Sequence, residues 1–102
     1  MDDRTKIWQA IWKRVDRTYR VQCPVDEILD ELGFPPGRAQ DIQNAIQDKE
    51  VPRLYATTIR NGFELFLHFD KNRLQNFMQK YQLEPEPWII YGTPTYPPPS
   101  GS

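Results

Sequence analysis

The 102 residues hold one cysteine and one histidine, and histidine is the side chain most often used for proton transfer. Cys23 standing alone excludes an intrachain disulfide, and a reducing compartment is the natural expectation. With His68 the only imidazole, ordinary zinc sites are out of reach, and neither a metal nor a cofactor is expected. No run approaches the roughly 20 apolar residues that span a bilayer, so no membrane partner is expected. The opening MDDRTKIW puts charges where a signal peptide needs an apolar stretch, which makes a cytoplasmic location the expectation. The five glycines are scattered, and neither G-x-x-x-x-G-K-[ST] nor G-x-G-x-x-G occurs.

Aromatic residues, by contrast, are plentiful at 13%. Such side chains bury a large area each and let a small core hold together. The length is that of one domain, with room for one core and one functional surface. Net charge is −1, which gives no overall pull toward nucleic acid or anionic lipid. Its distribution is uneven: residues 1–23 carry +3, residues 24–52 carry −5 and residues 53–102 carry +1.

Ile7, Trp8, Ile11, Trp12, Val15 and Tyr19 recur at helical steps, which predicts a first helix over about Asp3 to Tyr19. Val21 and Cys23 fit one side of a brief strand. Pro24 suits a first helical position, and Val25, Ile28, Leu29 and Leu32 predict a second helix. Gly33 supplies its left-handed stop, with Phe34 placed to fold back on Leu29. A third helix is expected after Pro35-Pro36-Gly37, reaching about Asp48, with a narrow stripe of Ala39, Ile42, Ala45 and Ile46 and an exposed side rich in amides.

LYATTIR and FELFLHF flank Asn61-Gly62, the pair that best tolerates a type I′ turn, so residues 54–69 predict a β-hairpin. In the expected register Thr58 faces Leu65, Ala56 faces Leu67 and Leu54 faces Phe69, all on the core side. Asp70 is placed to cap a fourth helix carrying Leu74, Phe77, Met78 and Tyr81. The expected division is a domain over residues 1–83 and a Pro-rich tail over residues 84–102. Residues 84–92 are expected to dock and residues 93–102 to be mobile.

Catalytic groups are hard to assemble from this set. A Cys23–His68 pair would make an activated thiolate, but no orienting third group is evident. The reading that ranks well ahead makes Cys23 a helix-start or core residue and His68 a strand residue on the less apolar face. Asp26, Glu27, Asp30 and Glu31 lie along the second helix, a spacing that gives an acidic solvated face. A binding protein, not an enzyme, is the expectation.

The order helix, short extended segment, helix, turn, helix and hairpin over residues 5–69 resembles the winged helix-turn-helix superfamily. The residues that carry the resemblance are Val25 to Phe34, the Pro-Pro-Gly turn after them, and the hairpin with Asn61-Gly62 at its tip. The expected fold class is α+β: the resemblance implies a three-helix winged-helix-like domain with a β-hairpin, to which the spacing beyond Asp70 adds a further C-terminal helix and the prolines an extended tail. The resemblance also implies DNA recognition, with Arg38, Gln40, Gln43, Asn44 and Gln47 reading bases and Arg53 and Arg60 near phosphates.

Charge argues the other way. DNA affinity comes largely from Lys and Arg neutralising phosphates, and the second and third helices together carry −5. A regulatory protein–protein module therefore ranks ahead, docking through Asp26, Asp30, Gln43 and Gln47, with nucleic acid as the alternative partner. Trp88 and Tyr91 suit interface anchors or, equally, packing on their own domain. Pro97-Pro98-Pro99 is a polyproline ligand or a plain chain end. Two Trp on the first helix and the apolar tail also predict a homodimer.

Overall fold

A computed structural model describes residues 2–58, 64–85 and 87 of the chain. Helix α1 spans Asp3–Trp12, strand β1 Arg20–Pro24, helix α2 Val25–Leu32, helix α3 Ala39–Ile46, strand β2 Arg53–Thr58, strand β3 Glu64–Phe69 and helix α4 Leu74–Tyr81. The fold is α+β: helices pack on a three-stranded antiparallel sheet of order β1-β3-β2.

The Asp2 carboxylate starts α1 by accepting from the Thr5 N–H at 2.9 Å, satisfying an amide that the first turn leaves open. The helix ends at Trp12, seven residues before the expected Tyr19. Asp16 is the reason. Its carboxylate accepts from the Thr18 N–H at 2.8 Å and the Arg20 N–H at 3.2 Å, drawing the chain into a turn that competes with helix. Tyr19 is left in the left-handed region at φ 61°, and its carbonyl accepts from the Phe69 N–H at 2.8 Å. Val15 stays buried and Tyr19 still packs on the core, so their helical spacing reflects burial without helix.

In β1, Val21 and Cys23 are buried and their neighbours exposed, as the alternation predicts. Pro24 closes the strand and stands just before α2 instead of inside it. At the other end Gly33 is left-handed, with its N–H on the Asp30 carbonyl at 3.1 Å and the Phe34 N–H on Leu29 at 2.9 Å. That is the expected Schellman stop. A 3-10 turn over Pro36–Arg38 leads into α3, which buries Ile42, Ala45 and Ile46 and ends two residues short of Asp48.

Strands β2 and β3 pair Thr58 with Leu65 and Ala56 with Leu67, as the hairpin register requires. The Leu54–Phe69 pair is not formed. Arg53 pairs with Phe69, a bulge between Arg53 and Tyr55 leaves Leu54 as the extra residue, and its side chain is 57% exposed. The Asn61-Gly62 turn lies outside the described residues. Strand β3 is central, with β1 on its other side: Val21 faces Leu67 and Cys23 faces Leu65.

The Asp70 carboxylate accepts from the Asn72 N–H at 3.0 Å, capping a 3-10 turn over Lys71–Arg73 that runs on into α4. Gln82 then turns left-handed, and the Leu83 N–H reaches the Met78 carbonyl at 3.0 Å. An aromatic cluster locks α1 between β3 and α4. Trp8 stands 4.8 Å edge-on to Phe77 and 6.1 Å from Phe69, and Trp12 stands 5.5 Å from Phe69. Both Trp are buried, so the helix-borne part of the surface expected to drive a homodimer belongs to the core.

Beyond α4 the chain turns back on α1. Gln9 Nε2 donates to the Tyr81 carbonyl at 3.4 Å and the Trp12 indole N–H donates to the Glu84 carbonyl, while Leu83 and Pro87 are buried. The remaining tail expectations fall on residues outside the described set. Among the described residues no helix is long and apolar enough to cross a membrane.

Candidate functional site

Helices α2 and α3 pack on each other and on α1, so the acidic and amide-rich residues of the sequence meet the basic residues of the first helix. The result is an internal charge match. Lys13 Nζ lies 2.7 Å from Glu31, and Arg14 pairs with Glu27 at 2.9 Å and Glu31 at 2.8 Å. Arg4 reaches Asp48 at 2.8 Å. Burial alone would push the Glu31 carboxyl up, but hydrogen bonds from Lys13 and Arg14 outweigh it and hold the group below its ordinary value. For Arg14 burial disfavours the charge, and the hydrogen bonds to Glu27 and Glu31 again prevail and raise its pKa.

Only the outer edge of α2 remains open. Asp26 and Asp30 are exposed and make no ion pair among the described residues. The acidic helix expected to be solvated throughout is thus split, one edge clamping α1 and the other facing out.

The side chains expected to read bases are differently placed. Arg38 is held by Asp3 at 3.0 Å and Asp41 at 2.6 Å, with its guanidinium 3.9 Å from the centre of the Phe34 ring. Hydrogen bonds to Asp3 and Asp41 raise its pKa. Gln40 donates to Asn44 at 3.1 Å along an exposed edge, Gln47 is exposed just past the helix, and Gln43 is half-buried. Arg53 is half-buried and donates to the Asp48 carbonyl at 3.2 Å. Arg60, Trp88 and Tyr91 lie outside the described residues.

Cys23 and His68 are not brought together. Cys23 points into the core opposite Leu65, while His68 pairs with Arg20 on the alternate positions of β3, three steps along the ladder. Burial pushes the Cys23 thiol up to about 11, away from thiolate chemistry at neutral pH. No group of three or more His, Cys, Asp or Glu converges as metal ligands would among the described residues.

A feature that sequence reasoning missed is a groove of about 510 Å³ between α4 and the Asp16–Tyr19 turn. Tyr19, Leu74, Met78, Leu83 and Pro85 supply its apolar surface, and Gln75, Gln79, Gln82 and Lys71 its polar rim. Tyr19 lines it from the turn after α1, where the Asp16 carboxylate holds the backbone out of helix. The glutamines at positions 75 and 79, one helical turn apart beside Met78, are the only trace the sequence carries of it. Comparisons with protein-family models, with curated proteins and with solved structures found no match.

Proposed function

We propose that this chain is a non-catalytic regulatory module of the cytoplasm that works through protein–protein contact. The observation that carries the reading is the commitment of its cations. Arg4, Lys13, Arg14, Arg38 and Lys80 each pair with a carboxylate, while Asp26 and Asp30 face outward from α2. These pairs commit cations that border α2 and α3 internally, and the outward carboxylates repel a polyanion at the helix pair that would have to approach it.

A second reading, a winged-helix DNA-binding regulator, is favoured by one specific observation. The order α1-β1-α2-α3-β2-β3, with α3 carrying exposed Gln40 and Asn44, is compatible with the superfamily resemblance. Asn and Gln make bidentate contacts to adenine.

Binding of labelled random duplex DNA at low and then rising salt separates the two. The protein-binding reading expects no retention even at low salt. Retention that falls steeply with salt and is lost in Arg53→Ala and Arg60→Ala would establish the DNA reading in its place.

A further inference from the structure

We infer that the groove between α4 and the Asp16–Tyr19 turn receives a short peptide segment of a partner protein, bearing apolar side chains flanked by an acidic residue. The inference rests on the protein-binding reading and names a site and a ligand chemistry for it. Three separate stretches of chain build the groove: the turn after α1, the exposed side of α4, and the segment that leaves α4 toward α1. Its volume of about 510 Å³ lies within the roughly 300–1,000 Å³ of clefts that bind ligands.

The rim matches a peptide. Gln75 and Gln79 are exposed one turn apart, Gln82 follows them, and their side-chain amides make no hydrogen bond among the described residues. An amide both donates and accepts, as does a peptide backbone laid along it. Among the described residues that line the groove, Lys71 is the one charged side chain and none is acidic. The ammonium stands 5.6 Å from the centre of the Tyr19 ring and makes no ion pair among the described residues, unlike Arg4, Lys13 and Arg14. The groove therefore offers apolar contact for affinity and one unmatched positive charge for partner choice.

The test uses the full isotope-labelled chain and two synthetic peptides of equal length, leucines flanked by glutamates and the same leucines flanked by lysines. The glutamate peptide is expected to shift backbone amide resonances between Lys71 and Leu83 and to bind roughly fivefold more tightly than the lysine peptide. Lys71→Glu reverses that preference, and Met78→Lys abolishes binding of both while the dispersed spectrum of the folded chain is kept. Binding indifferent to flank charge, or no binding of either peptide, overturns the inference. Shifts confined to α2 and α3 overturn the groove but leave the protein-binding reading in place. Binding seen only after removal of residues 88–102 assigns the groove to the chain's own tail, and groove shifts that grow with protein concentration alone assign it to a second copy; either result overturns a partner peptide.

Discussion

Cys23 illustrates how one buried atom carries a pH signature. Its side chain is 5% exposed in the core behind β1, and burial moves the thiol from an ordinary value of 9.0 up to about 11. A folded-state value above the unfolded one contributes stability in full below pH 9 and loses it as pH rises toward 11. Wild type is therefore expected to lose stability over that window more steeply than Cys23→Ala, by up to about 3 kcal/mol at 1.36 kcal/mol per tenfold in acidity. Denaturant titrations of both proteins at pH 8 and pH 10.5 check it, and parallel pH dependences would contradict it. His68 gains nothing from this thiol, because the pleat places the two on opposite faces of the sheet.

At the scale of the element, the ends of the helices were unequally legible. The end of α2 is written in Gly33-Phe34, since a left-handed residue followed by an apolar one both stops a helix and seals it. The end of α1 is not written in the same way. Val15 and Tyr19 keep the helical spacing, and only the hydrogen bonds of the Asp16 carboxylate to its own neighbours reveal that the turn wins. The same local logic gives a paired prediction for two glycines. Gly33 sits at φ 73° with open space around a would-be Cβ, so Gly33→Ala costs about 1–2 kcal/mol from backbone conformation alone. Gly37 also faces open space but needs no positive φ, so Gly37→Ala is expected to be neutral or to stabilise by about 0.4–1 kcal/mol. Thermal unfolding of both variants checks the pair, and equal shifts of the same sign would refute the distinction.

Across the whole molecule, the charge asymmetry between residues 1–23 and 24–52 is used internally before it is offered to any partner. Glu31 is the centre of that match. Its folded-state value is held below the ordinary 4.5, so its contribution is present above pH 4.5 and is lost as pH falls through the folded value. Glu31→Gln is expected to cost about 1 kcal/mol at pH 7, less at high salt, and nothing once wild-type Glu31 is itself protonated. Melting temperatures of wild type and variant from pH 7 down to pH 2.5 test this, and curves that stay separate at the acid end would refute it.

Periodicity, turn chemistry and capping were enough to determine the α+β class, the order of helices and strands, the pairing of β2 with β3 over most of its length, and the stop of α2. These are decided by near neighbours in the chain, whose spacing the sequence displays directly. The tertiary structure decided the rest. It bulged Leu54 out of register, placed β1 beside β3, buried both Trp of α1, turned the acidic edge of α2 into a clamp on Lys13 and Arg14, and opened a groove against α4. Each of those depends on which distant residues meet. The scarcity of Cys and His limits the chemistry the chain can assemble, and the folded sheet sets its one thiol and one imidazole on opposite faces.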